Sequence, residues 1–576
     1  MKDSTEGRFL LVWLCSAVVV TVMRFLNAAS PGYDLGLQIQ AAHNLLAGNG
    51  LSLYRQMGPD LGGPAALMTL TSFASGYSFC AAALMALGVS VGMVVKVLGA
   101  AATMLGWWGW GKLAYPFFSD GLKRSPVWRW AGFAIAVSSP LLFTPWWGGT
   151  DIFLWAAVPW VLDWVVRAAN EDVPGGRWLD GLAGVVCGLC VLMRYASLFL
   201  AVYAIFVILW QSRMRLSVLM RRWAFFGLGL LPALALQVYI NYFLSYAPAT
   251  PGGVSFNNSG LAVGVQRFWH AVPLLSTANY PWVFWLPVRG LDLFFTGVAR
   301  PLPWQLGVTL AGLVLLVLVV ETYGVDLSTA SRDPRIVALG LFVVLPLFLC
   351  GCTILSPYDF VADRRYYWPI VPLGVFVFYS LASLNVVSES RGLARILKPL
   401  GVVYLTGYIA MSLAYIVFFF MPGERGANQR AKLMASEVRH WPSMAVTYEF
   451  SPARRLVMRL LKEQPDTLLL TSKAGWFYWD PSVDQSRLYE LNCEYLQATY
   501  LSGPARIVIL TFDEDAPQEL WYYIRYANGS SEQRRADCFE RLPDLKLLKR
   551  FPEEGVKVLE TRVAAGERVV LGRDNH

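Results

Sequence analysis

The feature that most constrains this chain is a series of long apolar runs separated by short polar segments. Each run comes close to the roughly 20 residues that an α-helix needs to cross the hydrocarbon core of a bilayer. Because lipid offers the backbone no hydrogen-bond partner, such runs can cross it only as helices. The sequence therefore predicts an α-helical polytopic membrane protein with about 11 transmembrane helices. The eleven runs lie near 9–28, 91–113, 130–146, 152–168, 179–196, 197–212, 223–243, 303–323, 336–356, 368–387 and 399–421.

Charged residues divide the chain into two parts. Of its 48 Lys and Arg and 39 Asp and Glu, residues 424–576 hold 22 of each, which leaves 26 basic and 17 acidic side chains in 1–423. We therefore predict a transmembrane domain over 1–423 and a soluble domain over 424–576. The excess positive charge is confined to the apolar part, so it concerns membrane topology and gives no reason to expect nucleic acid as a partner.

Basic residues also orient the predicted spans. With the N-terminus in the cytoplasm, 17 of these 26 basic residues fall in cytoplasmic segments, which agrees with the positive-inside rule. This arrangement treats residues 73–87 as a juxtamembrane or re-entrant piece, because a full span there would invert every later loop. The odd number of spans places the C-terminal domain outside the cytoplasm. The expected location is the inner or plasma membrane of a bacterium.

The C-terminal domain alternates apolar strand-like runs with helical stretches. Strands are predicted at 467–471, 506–512 and 556–563, and helices at 446–462 and 517–526. Buried strands separated by helices are typical of α/β domains. We predict a small extracytoplasmic α/β domain that either covers the functional site or recruits an acceptor.

A short amphipathic helix is predicted at 31–46, in the first outer loop. Apolar side chains recur from Leu35 at i, i+4, i+7 and i+11, while Asp34 and Gln38 lie off that stripe near the start of the helix. We expect this helix to lie on the membrane surface. Two interpretations of Asp34 remain open, since an acidic residue there can serve chemistry or simply complement the helix dipole.

Five charged side chains from distant parts of the sequence share the predicted outer face: Asp34, Asp151, Arg194, Arg364 and Arg365. Arg194 lies inside a long apolar stretch, where a lone charge costs several kcal/mol unless it is paired or wetted. Snorkelling or interfacial anchoring would explain single arginines. Two carboxylates together with three arginines are what a reaction between a lipid phosphate and a hydroxyl requires. Arginine can bind phosphate in bidentate fashion and a carboxylate can accept a proton.

The order of several short motifs adds a family resemblance. The pattern Y-D-x-x-L-Q-I-Q-A-A-x-N-L-L-x-G-x-G-L-S over 33–52 is followed by Gly-Tyr-Ser at 76–78, Thr-Asp at 150–151, Leu-Met-Arg-Tyr at 192–195 and R-Y-Y-W-P-x-x-P over 365–372. Together these motifs resemble GT-C fold glycosyltransferases, in particular the protein O-mannosyltransferase-like family and the aminoarabinose transferase of lipid A. The resemblance covers roughly residues 8–420.

The resemblance implies an inverting glycosyltransferase that uses a polyprenyl-phosphate-linked sugar on the outer membrane face. The acceptor would be a hydroxyl of a glycan, lipid or protein. Asp34 would act as general base, and Asp151 would position the acceptor or the sugar. The residues expected to bind the donor phosphate are Arg194, Arg364 and Arg365. Further substrate contacts are expected from Tyr33, Gln38, Tyr195 and Tyr366.

A metal-dependent reaction and two other functions are the alternatives to this interpretation. Many relatives carry Asp-Glu where this chain has Asp34-Leu35, so a divalent metal cofactor is doubtful, and we predict no metal ligands. A lipid or solute transporter would be expected to show internal repeats and polar residues at mid-membrane. A polysaccharide ligase would share the lipid-linked donor but transfer a whole glycan.

Overall fold

The computed structural model describes most of the helical part of the chain and the framework of the C-terminal sheet, and the statements below concern these residues. The described ranges are 4–26, 33–55, 66–70, 73–145, 149–169, 176–212, 215–244, 330–355, 368–383, 391–420, 452–464, 466–471, 477–478, 480, 482–484, 487–490, 499–500, 505–512, 542, 544–551, 556–564 and 568–569.

The first part of the chain is mostly helical. Its helices are α1 (Ser4–Leu26), α2 (Tyr33–Leu46), α3 (Gly76–Ala86), α4 (Val91–Arg124), α5 (Pro126–Phe143), α6 (Asp151–Ala168), α7 (Gly176–Met193), α8 (Leu198–Gln211), α9 (Leu216–Tyr239), α10 (Pro334–Leu355), α11 (Val371–Ala382) and α12 (Arg391–Phe420). A 3₁₀ turn (Tyr195–Ser197) joins α7 to α8, and α9 continues as a π-helical turn (Ile240–Leu244). Between α2 and α3, strands β1 (Ser52–Arg55) and β2 (Ala66–Thr69) form an antiparallel hairpin.

Ten of the eleven predicted spans coincide with described helices, and the span predicted at 303–323 lies outside the described residues. Three described helical segments are long and apolar enough to cross a membrane by themselves: Thr5–Phe25, Val91–Arg124 and Leu216–Leu244. Shorter apolar helices include Trp178–Met193, Tyr195–Gln211 and Trp368–Ala382. A helical membrane protein is therefore supported, whereas the count of 11 is not confirmed. With 11 residues, α3 is too short to span a bilayer, in agreement with the juxtamembrane interpretation.

Large aromatic side chains fill the centre of the helical domain. Trp13, Trp107, Trp110 and Trp155 are fully buried, and Phe376 of α11 packs among them. Buried indole N–H groups need acceptors. The Nε1 of Trp13 donates to the carbonyl oxygen of Trp107 (2.6 Å), and that of Trp110 donates to the carbonyl oxygen of Trp155 (3.2 Å). These contacts fix α1, α4, α6 and α11 around one core.

Glycines allow α7 and α9 to pack closely along each other. A Cβ atom at Gly184 would collide with the carbonyl oxygen of Phe226, and one at Gly229 would collide with the carbonyl oxygen of Gly181. Small residues at such interfaces let two helix backbones approach. We call this contact the α7–α9 seam; it sets the relative position of everything carried at the ends of the two helices.

The C-terminal region contains helix α13 (Pro452–Glu463) and a five-stranded sheet. The strands of this region, five of them in the sheet, are β3 (Leu468–Thr471), β4 (Leu488–Glu490), β5 (Thr499–Tyr500), β6 (Ala505–Phe512), β7 (Lys546–Phe551), β8 (Val556–Val563) and β9 (Arg568–Val569). In the order β4-β3-β6-β8-β7, β3 is parallel to β4 and β6, whereas β8 is antiparallel to β6 and β7. Strands β5 and β9 form a separate antiparallel pair.

This sheet confirms the three predicted strands of the C-terminal region. Val508 and Leu510 of β6 and Val556 and Val558 of β8 are buried, and Val457 of α13 packs on them. In β6 the neighbouring Ile507 and Ile509 are buried as well, which explains why this strand appears in the sequence as a continuous apolar run. The helix predicted at 446–462 is described from residue 452 onward, and that predicted at 517–526 lies outside the described residues.

Helix α2 differs from the interfacial helix expected from its sequence pattern. Leu35, Ile39 and Ala42 are buried as predicted, in a cluster with α3. The polar side chains of Gln40 and Asn44 are also buried, with 2% and 4% exposed. A water-facing polar side, which an amphipathic helix on a surface would show, is therefore absent from α2, because protein covers its polar side as well as its apolar side. Its position at the membrane surface stays a prediction.

Candidate functional site

Two of the predicted site residues, Asp151 and Arg194, form an ion pair. The distance between Arg194 Nη1 and Asp151 Oδ1 is 3.0 Å, with 12% and 4% of the two side chains exposed. Asp151 begins α6, and Arg194 follows α7 in extended backbone before the 3₁₀ turn. Since an unpaired buried charge is costly, each side chain supplies the counter-charge that the other needs. Arg194 thus has a carboxylate partner within the protein, as its place in an apolar stretch requires.

An apolar cluster joins the helix of Asp34 to this ion pair. Leu35, which follows Asp34, is buried together with Tyr77 of α3, and Phe153 and Met193 pack against the same cluster. The ring centroids of Tyr77 and Phe153 are 6.2 Å apart. Phe153 lies in the first turn of α6, and Met193 is the last residue of α7. Helix α3 and this cluster therefore connect the helix that carries Asp34 to the start of α6 and the end of α7.

The start of α3 depends on a close approach to the end of α7. A Cβ atom at Gly76 would lie 2.5 Å from the carbonyl oxygen of Leu192. Real Cβ atoms do not come this close to backbone oxygen, so a larger residue would push α3 away from the Arg194 corner.

Four polar side chains form a hydrogen-bonded network next to Arg194. Gln237 Nε2 donates to Asn241 Oδ1 (2.8 Å) and to the hydroxyl oxygen of Tyr195 (3.4 Å), and Ser75 Oγ donates to Gln237 Oε1 (3.0 Å). Asn241 belongs to the π-helical turn, a feature that is frequent at functional sites. Of these residues only Tyr195 was predicted. For Gln237 and Asn241 the available signal was that two amide side chains stand four residues apart inside an apolar run.

The β1–β2 hairpin lies between α2 and the end of α9. Asn44 Nδ2 donates to the carbonyl oxygen of Ser52 (2.8 Å), and the Tyr54 N–H donates to Gln40 Oε1 (3.3 Å). The Leu51 N–H donates to the carbonyl oxygen of Leu244 (2.8 Å). The buried polar side of α2 thus holds the hairpin in place.

Gln38 occupies a buried position rather than an open surface. Its side chain is 1% exposed, and its Nε2 donates to the carbonyl oxygen of Asp34 (3.3 Å). Its Oε1 has no hydrogen-bond partner among the described residues. Asp34 itself lies in the first turn of α2 and is partly exposed.

An arginine that was not predicted, Arg24, lies at the same end of the helical domain. It belongs to the last turn of α1, is buried, and donates a hydrogen bond from Nη1 to the carbonyl oxygen of Pro145. Pro145 belongs to the segment between α5 and α6, so Arg24 helps to fix the approach to Asp151. The signal for Arg24 was a basic residue at the end of the first apolar run.

The remaining predicted residues are neighbours in sequence of residues that the structure describes. Trp368, two residues after Tyr366, is buried, and its Nε1 donates to the carbonyl oxygen of Phe143 (2.7 Å) at the end of α5. The residues that lie outside the described set are Arg364, Arg365, Tyr366 and the side chain of Tyr33. Within the described part of the chain no group of three His, Cys, Asp or Glu is placed to hold a metal ion.

Comparisons with known proteins give a structural likeness and no sequence relative. No family model and no curated protein matches the chain. The oligosaccharyltransferase of Archaeoglobus fulgidus in complex with Zn and sulfate matches at 11% identity and a TM-score of 0.42, over 92% of this chain and 71% of that one. The oligosaccharyltransferase AglB of Archaeoglobus fulgidus, with an inhibitory peptide and a dolichol-phosphate, matches at 11% identity and a TM-score of 0.38, over 84% and 65%. The first of these enzymes, with a tethered acceptor peptide, matches at 12% identity and a TM-score of 0.40, over 85% and 64%.

The chain spans from 64% to 71% of the length of the matched chains. Identity and TM-score are both low, so the likeness assigns no role to any residue of this chain.

Proposed function

We propose that the chain is an inverting glycosyltransferase that moves a sugar from a polyprenyl-phosphate donor to an acceptor hydroxyl on the outer membrane face. The observation that carries this proposal is the Asp151–Arg194 ion pair, which an apolar cluster that includes Tyr77 of α3 connects to the helix of Asp34. A phosphate-binding cation and a proton-accepting carboxylate are the two groups that the reaction needs.

The two aspartates are given different roles by their surroundings. Asp34 is partly exposed in the first turn of α2, so an acceptor hydroxyl can reach it. Asp151 is 4% exposed and paired with Arg194. We therefore assign Asp34 as the general base and Asp151 as a positioning residue that holds the guanidinium of Arg194, in place of its expected contact with acceptor or sugar.

The proposed reaction is a single displacement. Asp34 takes the proton of the acceptor hydroxyl while the hydroxyl oxygen bonds to the anomeric carbon of the sugar. The bond from that carbon to the phosphate oxygen breaks, and its electron pair leaves with polyprenyl phosphate. Negative charge then grows on the phosphate, where Arg194 stabilises it, together with Arg364 and Arg365. Attack from the side opposite the leaving group inverts the anomeric configuration.

The proposal includes a membrane setting. The N-terminus is cytoplasmic, and the Asp34 site and the C-terminal domain lie outside, in a bacterial inner or plasma membrane. The transferred unit is a hexosyl or pentosyl group, and the acceptor is a glycan, a lipid or a protein. The positive-inside distribution of the basic residues supports this orientation.

A panel of donors tests the proposed function. Purified full-length protein in detergent is incubated with polyprenyl-phosphate monosaccharides, with a lipid-linked oligosaccharide and with nucleotide sugars. We expect polyprenyl phosphate to be released from one or a few of the monosaccharide donors. Turnover of nucleotide sugars alone would contradict the proposal, and turnover of the oligosaccharide alone would identify a polysaccharide ligase. Passage of intact donor across liposomes without release would identify a transporter.

A further inference from the structure

A second polar site lies at the opposite end of the helices that carry the candidate functional site. Along α7, Asp180 precedes Arg194 by 14 residues, and along α9 Arg222 precedes Gln237 by 15 residues. At 1.5 Å per residue these separations are more than about 20 Å, most of the thickness of a bilayer core. The predicted orientation puts this second site at the cytoplasmic interface.

The floor of the second site is a buried hydrogen-bonded group centred on Arg222. Its Nε and Nη2 donate to the two carboxylate oxygens of Asp180, each at 2.8 Å. Its Nη1 donates to Gln211 Oε1 (2.8 Å), and its Nη2 also donates to the carbonyl oxygen of Val165 (3.0 Å). Gln211 in turn donates to the carbonyl oxygen of Ser331 (2.7 Å). Arg222 is thus neutralised and held in one position by four hydrogen bonds to three residues.

A cavity of about 120 Å³ lies on this floor and is lined by three further arginines: Arg215, Arg221 and Arg332. All three are exposed. Because Asp180 neutralises Arg222, these three give the lining a net charge of +3. Liquid water occupies roughly 30 Å³ per molecule, so the cavity has room for about four waters. It is small beside the roughly 300–1,000 Å³ of pockets that enclose drug-sized ligands.

Within the described ranges, neighbouring arginines at this end of the helices have carboxylate partners, unlike the three that line the cavity. Arg167 pairs with Asp163 (3.1 Å), and Arg335 pairs with Asp333 (2.7 Å). No carboxylate pairs with the three cavity arginines among the residues that the structure describes. Basic residues that serve only to orient the spans need not converge on one cavity.

We propose that this cavity binds an anionic phosphate group, supplied by the headgroup of an anionic phospholipid or by a soluble phosphate. Three guanidinium groups around a small cavity match the charge and the acceptor geometry of phosphate. Basic cavities between helices at the cytoplasmic side are suited to anionic headgroups. The proposal concerns a different end of the molecule from Asp34, so it does not depend on glycosyl transfer.

Binding to the full-length protein in detergent tests this site. The probes are phosphatidylglycerol, phosphatidylcholine and inorganic phosphate, followed by the shift in melting temperature and, for lipids, by retained lipid in native mass spectrometry. The variants are Arg221→Gln, the triple variant Arg215→Gln/Arg221→Gln/Arg332→Gln, and Arg167→Gln as a control. The control removes one charge at the same end of the molecule without touching the cavity.

We expect phosphatidylglycerol or inorganic phosphate to bind, phosphatidylcholine to bind less, and the triple variant to weaken binding by about tenfold or more. Arg221→Gln should weaken binding several-fold, and Arg167→Gln should leave it unchanged. Binding of phosphatidylglycerol alone identifies a lipid ligand, and binding of inorganic phosphate alone identifies a soluble one. Absence of binding by both probes, or an equal loss in Arg167→Gln and Arg221→Gln, overturns the proposal. Neither result depends on turnover of a sugar donor.

Discussion

At the scale of single residues, the sequence could name Arg194 and Asp151 but not that they form a pair. A charge inside an apolar stretch must be paired or wetted, and this requirement alone singles Arg194 out. The carboxylate that pairs with it begins a different helix, so the pair depends on how α6 and α7 pack. Arg222 shows the same limit, since the sequence counted it with the cytoplasmic charges and packing placed it against Asp180.

The ion pair gives a prediction for stability. Asp151→Asn and Arg194→Gln should each lower the free energy of unfolding, because each leaves one charge in a mostly buried position. The double variant should lose less than the sum of the two, with a coupling energy of about 1–3 kcal/mol in a denaturant titration of detergent-solubilised protein. The exposed pair Asp163 and Arg167 serves as control, with an expected coupling of less than about 0.5 kcal/mol. Additive effects at Asp151 and Arg194 would show that the two side chains act separately.

At the scale of elements, the α7–α9 seam holds both ends of the helical domain in register. The glycines of the seam are visible in the sequence, but the sequence does not show that α7 packs against α9. Gly184→Ala should lower stability by about 1–3 kcal/mol, since the added methyl group meets the carbonyl oxygen of Phe226. Gly227→Ala is the matched control on α9, because a Cβ atom there meets nothing within 4 Å. Thermal unfolding of the two variants decides; equal melting temperatures would contradict the close approach.

The strand pair β6–β8 predicts how the C-terminal domain responds to acid. Arg506 donates two hydrogen bonds to Glu560 (2.8 and 3.1 Å), which holds the pKa of Glu560 below its ordinary value of 4.5. A lowered pKa in the folded state contributes stability above the ordinary value, and this contribution is lost as the pH falls through the lowered one. Protease resistance of the domain in the full-length protein should therefore fall below about pH 4.5, with a weaker dependence on pH in Glu560→Gln. If Glu560→Gln shows the same dependence of protease resistance on pH as the wild type, the Arg506–Glu560 ion pair does not cause the loss of stability in acid.

At the scale of the whole molecule, apolar run length predicted most of the helices, and strand pattern predicted the central strands of the sheet. Both features are local, so a single sequence carries them. The enclosure of α2 could not be predicted in this way. From the periodicity of the sequence, the polar residues of α2 are expected to face water. In the structure, Asn44 and Gln40 instead form hydrogen bonds with the β1–β2 hairpin. The network of Gln237 with Ser75 likewise joins residues 162 positions apart.

Sidedness follows from the proposed orientation. In a background where all eight native cysteines are replaced by Ser, Glu463→Cys should react with a membrane-impermeant maleimide in intact cells. Asp120→Cys, which precedes the basic end of α4, should react only after permeabilisation. Both positions are exposed, so access to the membrane face decides the outcome. The reverse pattern would place the Asp34 site in the cytoplasm.

The most direct test of the central claim is the release of polyprenyl phosphate from the lipid-linked sugar donor by three forms of the protein. These are the wild type, Asp34→Asn, and Asp163→Asn as a control at the other end of α6. We predict that Asp34→Asn loses about 10²-fold or more in turnover, because the amide cannot accept the proton of the acceptor. Donor binding should persist in that variant, and Asp163→Asn should match the wild type. Near-normal turnover by Asp34→Asn would contradict the assignment of Asp34 as the general base.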